Sequence, residues 1–505
     1  MEVGGDEKLE ILLKWAAEVG ISDSKTPPLE SLPSSLGHSL FVSHFPEAGG
    51  RGLAALRDLR RGELILSVPK SALMTRETLL KDETLSIALN PHSSLSPIQI
   101  LSTCLLYEMN KGKSSWWYPY LMNLPPSYDI LATFGEFEKQ ALQIDEAIWA
   151  AEKATLKAEL HWKEASVLMK QLNLKPRLST FRAWLWASAT ISSRTLHIPW
   201  DEAGCLCPVG DLFNYAAPGE EPSRIEDLNC KMHASSFGVN PSVDGDATDM
   251  LDLEKLDSHS ERLTDGGFEE DVAAYCFYAR RHYKKGEQVL LCYGSYTNLE
   301  LLEHYGFILK ENPGEKVFIP LESEMCSSNS WPKESMYIQQ SGKPSFTLLS
   351  ALRLWATRPN RRRSVAHLAY SGSQLSAENE ILVMRWISKK CTFVLKSLPT
   401  SFDEDRSLLS AIEMLQDSFT LSELSNVLAS STNQICAFLE ANGLESGGSG
   451  ADLLSSRKIT QAIGRWRLAI QWRLSYKETL IKCVSYCSKV VDSLNSQNVT
   501  MQFSS

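Results

Sequence analysis

Two stretches that begin 224 positions apart echo each other: "ALRDLRRGELILSVP" at 55–69 and "ARRHYKKGEQVLLCY" at 279–293. In each, two basic residues, a glycine and a glutamate interrupt runs of β-forming apolar residues. Gly62 and Gly286 can take the positive φ that such a turn often needs. Each stretch is therefore expected to form a β-hairpin, with Arg60, Arg61, Lys284 and Lys285 as exposed turn residues and not a basic binding patch. A chain with β structure near both ends of its first 310 residues must fold around whatever lies between.

What lies between is of two kinds. Residues 97–110 and 136–196 mix good helix formers with apolar residues at three- and four-residue spacing, which predicts helices. Residues 219–271 hold fifteen Asp/Glu against four Lys/Arg, the composition of a solvated loop. From about 325 onward the chain reads as helical. Ile459, Ile463, Trp466, Ile470 and Leu474 make one stripe, extended by Leu480, Val484, Val491 and Leu494. The Ser/Gly stretch at 445–456 reads as the loop before that long helix, and Arg361–Arg363 as a solvated helix start. Residues 8–17 predict an amphipathic helix near the start.

At 505 residues with 43% hydrophobic side chains, the chain can bury two or three cores. Its net charge of −10 argues against sequence-independent nucleic-acid binding, which needs a basic surface. No apolar run approaches the roughly 18 residues that span a bilayer. The acidic start lacks a signal-peptide core and the Arg/Ser-rich character of a transit peptide. A cytoplasmic, nuclear or stromal protein with reduced thiols is expected from the 11 scattered cysteines. Cys205, Cys207 and Cys230, with His233, lack the spacing of a strong zinc site, so no metal is expected.

Chemistry concentrates in four stretches. "VLLCYGSYTNLELLEHYGFI", residues 289–308, sets Tyr293 after a strand-like run and Tyr305 before Gly306. Thr297 and Glu300 have capping-box spacing, which predicts a helix over 298–305. Taken alone, both tyrosines read as core aromatics. "GGRGLAA" at 49–55 is a Gly-rich turn followed by a strand, a poor dinucleotide fingerprint. "SATISSRTLHIP" puts Arg194 at the end of a helical run. "CPVGDLFNYAA" puts Asp211 and Asn214 in a polar break between apolar groups.

In this order the motifs resemble a SET-domain protein methyltransferase of the Rubisco large-subunit methyltransferase class. The resemblance implies an α+β fold. A β-rich SET core at 37–320 would be split by a helical insert at about 91–195 and by the acidic loop. It would follow an N-terminal helical segment, 1–36, and precede an all-helical substrate-binding domain, 321–505. It implies S-adenosylmethionine as methyl donor and a protein substrate held by the helical domain of a monomer, with neither nucleic acid nor membrane. Arg51, Gly52 and Leu53 would line the cofactor, and Glu63, Leu64 and Ile65 would contact its adenosine or amino-acid end. Arg194 would face its carboxylate; Asp211, Asn214 and Tyr215 would hold its amino group and adenine. Tyr293 would be the catalytic phenol, and Tyr305 and Phe307 would pack at the cofactor and lysine channel. The class usually has Asn-His where this chain has Asn214-Tyr215, and no cysteine-rich zinc segment closely follows Tyr305. A lysine acceptor is implied; a histidine acceptor and a non-catalytic protein-binding module are the alternatives. The two phenols suit lysine chemistry: burial favours a neutral amine, ring faces attract cationic methyls, and a hydroxyl can orient the nucleophile.

Overall fold

In the computed structural model of this protein, the two repeated segments pair with each other, and neither folds back on itself. The structure describes residues 5–24, 35–48, 50–218, 265–322, 325, 331–417, 432–442 and 457–502. Contacts divide the chain into two units, Met1–Pro125 with Glu164–Ser295, and Pro126–Lys163 with Tyr296–Ser505. This division does not follow the linear boundaries 37–320 and 321–505, because part of the helical insert groups with the C-terminal half.

The first unit contains strands β1 (Leu40–Phe45), β2 (Gly50–Ala55), β3 (Leu64–Pro69), β4 (Thr195–Ile198), β5 (Asp201–Leu206), β6 (Asn214–Tyr215), β7 (Gly266–Glu269), β8 (Ala274–Tyr278) and β9 (Gln288–Leu291). They form sheets ordered β1-β2-β9-β6 and β3-β8-β7, and a β4-β5 pair. The expected hairpins are thus corrected. β2 pairs with β9 (Leu53 opposite Val289), and β3 with β8 (Leu66 opposite Phe277). Leu59 and Tyr283 bridge the two connections.

The reason is local. Residues 56–63 separate β2 from β3, too many for the two-residue turn that keeps hairpin strands paired. Each connection closes on itself instead. Gly62 and Gly286 take φ of 77° and 88°. Glu63 accepts the Arg60 amide at 2.9 Å and pairs with Arg57. Glu287 accepts the Lys284 amide at 3.1 Å and pairs with Arg281 at 3.1 Å. The repeat is real, but it encodes two equivalent turns whose flanking strands leave for different sheets.

A second correction concerns the acidic stretch. Residues 219–264 lie outside the described residues, but its end is strand β7, paired with β8. Phe268 packs edge-on against Trp200, with ring centroids 4.4 Å apart. The acidic residues after it form the turn into β8, where the Ala273 amide bonds Glu270 O at 3.2 Å. The acidic composition fits this turn and not the strand before it.

Helices in this unit follow their caps. Ser96 and Gln99 form a capping box for Pro97–Lys111, with Pro97 in the first turn. Thr180 caps Phe181–Arg194, and Thr195 turns extended to begin β4. Arg194 therefore sits at the helix-to-strand junction. Near the start, the helix Gly5–Glu18 buries Leu12 and Ala16.

In the second unit the 46-residue helix Arg457–Gln502 carries the expected stripe. Ile459, Ile463, Trp466, Ile470 and Leu480 are buried. Its N-terminal half packs in one core with Leu131, Phe134, Leu142 and Ala147 from 126–163. The same helix buries Arg473 and Lys477, both ion-paired to Asp405. The Ser/Gly loop at 445–456 lies outside the described residues. Among the described residues no helix is long and apolar enough to cross a membrane.

Candidate active site

The helix end at Arg194 meets the short turn Gly210–Leu212. Arg194 Nη1 donates to both the backbone oxygen and Oδ2 of Asp211, each at 3.0 Å. The Asp211 carboxylate is 3% exposed. An ion pair this sheltered is held by charge-assisted bonds that water does not readily replace. Asp211 Oδ2 also accepts the Tyr120 hydroxyl at 2.8 Å.

Beyond the turn, β6 runs parallel to β9, setting Asn214 opposite Leu290 and Tyr215 opposite Leu291. Two residues past β9, Tyr293 donates its hydroxyl to Phe213 O. Tyr293 as a residue is half-buried. That burial pushes its pKa well above the ordinary phenol value, a rise that Asp211 and Tyr215 reinforce and Arg194 opposes. The phenol is therefore neutral at physiological pH and acts as a hydrogen-bonding group. Tyr215 lies with its ring centroid 5.4 Å from that of Tyr293. Its hydroxyl donates to Gly294 O at 2.7 Å. The tyrosine that stands where the resemblance leads one to expect histidine thus ties β6 to the residue after Tyr293.

On β2, Gly52 lets Asn214 come close: a Cβ there would fall 2.5 Å from Asn214 Nδ2. Leu53 is fully buried. The Arg51 guanidinium is held by Asn123, with Nη1 to Oδ1 at 3.0 Å and Nη2 to the backbone oxygen at 2.7 Å. Its pKa is lowered by burial and by Arg194, against a raising effect of Asp211. Arg51, Arg194 and Asp211 thus share one electrostatic neighbourhood.

Not every expected residue joins this group. Glu63 is held in its turn by Arg57 and the Arg60 amide, Leu64 pairs with Tyr278, and Ile65 is buried beside β8. Tyr305 and Phe307 belong to the second unit. There Tyr305 ends the helix Asn298–His304, whose N-cap Thr297 forms the expected capping box with Glu300. Gly306 follows with φ of 77°. The Tyr305 ring packs against Tyr296 at 5.4 Å and Phe307 at 6.0 Å. Cys205 and Cys207 are free, buried thiols; burial pushes the Cys205 pKa up to about 12. Cys230 and His233 lie outside the described residues.

Two residues in the group carried no sequence signal: Tyr120 and Asn123. Both sit on or just past the short helix Tyr118–Leu121.

Comparisons with known proteins agree with this architecture. A SET-domain family model matches residues 50–294, and a Rubisco LSMT substrate-binding model matches residues 314–480. "Protein SET DOMAIN GROUP 40" of Arabidopsis thaliana is 55% identical over 493 residues, covering 97% of each chain. The actin-histidine N-methyltransferase of Gallus gallus is 23% identical over 81% of this chain, which spans 64% of that protein's length. Among solved structures, the SET domain of LSMT bound to lysine and AdoHcy superposes with a TM-score of 0.54 at 19% identity. That match covers 97% of this chain and 93% of the other.

Proposed function

The chain belongs to the SET-domain family, in the branch that joins a SET domain to a Rubisco LSMT-type substrate-binding domain, and from that premise we propose that it is an S-adenosylmethionine-dependent protein methyltransferase whose acceptor is a lysine side chain. The observation that carries the reading is the Arg194–Asp211 ion pair beside the Tyr293 phenol. The amino-acid end of the cofactor is a zwitterion, and it needs a cation and an anion side by side. Arg194 offers a planar fork suited to a carboxylate. Asp211 offers an acceptor for an ammonium. The close approach of Asn214 to Gly52, which only a glycine allows without displacement, suits a cradle built from backbone and small side chains. The fit supports Arg51, Gly52, Leu53, Arg194, Asp211, Asn214 and Tyr215 as the residues that hold the cofactor.

Bound S-adenosylmethionine supplies a methyl group on a sulfonium. The rest of the chemistry belongs to the chain's own residues. A neutral, aligned amine is required for in-line attack. Tyr293, held neutral by burial, orients that amine through its hydroxyl and does not act as its base. Tyr215 keeps Tyr293 in place through Gly294 and a ring contact. The C-terminal unit grips the substrate protein, so that binding energy far from the acceptor aligns one side chain.

Two measurements test this. Titration calorimetry with S-adenosylmethionine should show binding to the full chain; no binding would favour the non-catalytic module. Methylating a whole-cell extract with labelled cofactor and identifying the modified residue should yield a lysine. A labelled histidine would keep the enzyme class and overturn the acceptor.

A further inference from the structure

The short helix Tyr118–Leu121 reaches two separate charged residues of the cofactor group. Tyr120, 2% exposed, bonds Asp211 Oδ2 at 2.8 Å. Asn123, 8% exposed, grips both terminal nitrogens of Arg51 at 3.0 and 2.7 Å. Asn123 Nδ2 in turn donates to Lys8 O at 2.8 Å and Pro119 O at 2.9 Å. That anchors the group to the N-terminal helix Gly5–Glu18, where Trp15 also packs on Trp116 with ring centroids 5.2 Å apart.

The bond pattern has a direction. Tyr120 and Arg194 both donate to Oδ2 of Asp211. Neither of these bonds uses Oδ1, the oxygen that could then take a further donor such as an ammonium. Asn123 meanwhile fixes the Arg51 guanidinium with bonds to a neutral amide, so that cation does not need Asp211 as its partner.

We propose that Tyr120 and Asn123 are positioning residues that set Asp211 and Arg51 for the charged amino-acid end of the cofactor, and that the N-terminal helix is part of this brace. This rests on the cofactor reading above. It adds that a piece of the helical insert, and not the SET motifs alone, determines how tightly the amino-acid end is held.

The test separates this role from simple structural support. S-adenosylhomocysteine carries the amino-acid end; methylthioadenosine shares the adenosine and sulfur but lacks it. Calorimetry on the full chain with both ligands, for the unaltered protein and Tyr120→Phe, isolates the contribution of that end. Tyr120→Phe should weaken S-adenosylhomocysteine about tenfold, the scale of one hydrogen bond to a charged group. Its affinity for methylthioadenosine should stay within about twofold of the unaltered chain's, a difference below about 0.4 kcal/mol. Asn123→Ser, which removes the side-chain half of the grip on Arg51 and leaves the backbone bond, should show the same selectivity and serves if Tyr120→Phe does not fold. Equal loss for both ligands, or loss for neither, would overturn the positioning role. Failure of the unaltered chain to bind either ligand would instead overturn the cofactor reading, and this proposal with it.

Discussion

Arg194 is held in a structural ion pair, and the proposed reading gives the same side chain the carboxylate of the cofactor. In the structure it sits at a helix-to-strand junction, ion-paired to Asp211 at 3.0 Å. Arg194→Ala should weaken S-adenosylmethionine binding by about 1.5–3 kcal/mol, the range for hydrogen bonds to charged groups. Arg194→Lys should recover only part, because a point charge replaces the fork. Calorimetry on the three proteins checks this, and equal affinities would make Arg194 purely structural. Arg194, Asp211, Asn214 and Tyr293 were legible because each lies inside a short motif with its own local pattern. Tyr120 and Asn123 were not. They meet their partners across 91 and 72 residues, and no periodicity or capping signal marks a residue whose role exists only in three dimensions. Glu63, Leu64 and Ile65 show the opposite case: their turn motif was plain, and it holds Glu63 in a structural bond.

At the scale of elements, local codes proved reliable and partner choice did not. The Thr297–Glu300 capping box placed the helix Asn298–His304 to within a residue of expectation. The Gly-Glu turns were equally local and were found where expected. Which strand pairs with which is decided by contacts more than 200 positions apart, such as Leu53 with Val289 and Leu66 with Phe277, and there the hairpin expectation is overturned. β7 gives a testable consequence. Excising residues 222–268 would remove Gly266, Gly267 and Phe268 from β7, and with them their pairing to β8 and the Trp200–Phe268 contact. An excision of 222–262 spares them. The longer excision should be the less stable by about 1 kcal/mol or more, since Phe268 is half-buried and full burial of such a side chain is worth about 1.5–3 kcal/mol. Denaturant melts of the two proteins measure it, and equal midpoints would mean that β7 adds nothing to the fold.

Over the whole molecule, the helical insert and the C-terminal helices depend on each other within one unit. Leu131, Phe134, Leu142 and Ala147 share a core with Trp466, Leu468, Ala469 and Ile470. Arg473 Nη1 bonds Ala141 O at 2.7 Å. A chain ended at residue 320 would uncover that face. Each large apolar side chain stripped of cover costs about 1.5–3 kcal/mol, and a handful exhaust a typical stability of about 5–15 kcal/mol. Such a chain should aggregate; a soluble monomer that binds cofactor would contradict the shared core.

Stability should also depend on pH through Glu315. It is 7% exposed, and burial, partly offset by bonds from the Asn298 and Lys316 amides, raises its pKa from an ordinary 4.5 to about 7. Between those values the folded chain keeps a proton that the unfolded chain has released. Stability therefore falls as pH rises through this window, by up to about 3 kcal/mol, and levels off above it. Glu315→Gln should flatten that dependence in thermal melts from pH 5 to 8. An unchanged slope would assign it to another group.

The central claim is that a neutral Tyr293 phenol orients a lysine amine for methyl transfer. The most direct measurement is the rate of label transfer from methyl-labelled S-adenosylmethionine to an acceptor in cell extract. The unaltered chain and Tyr293→Phe should be compared side by side, with the modified residue identified by mass spectrometry. The account predicts label on lysine and a rate about 10²-fold lower in Tyr293→Phe, with cofactor affinity retained. Equal rates in the two proteins, or label on a residue other than lysine, would contradict it.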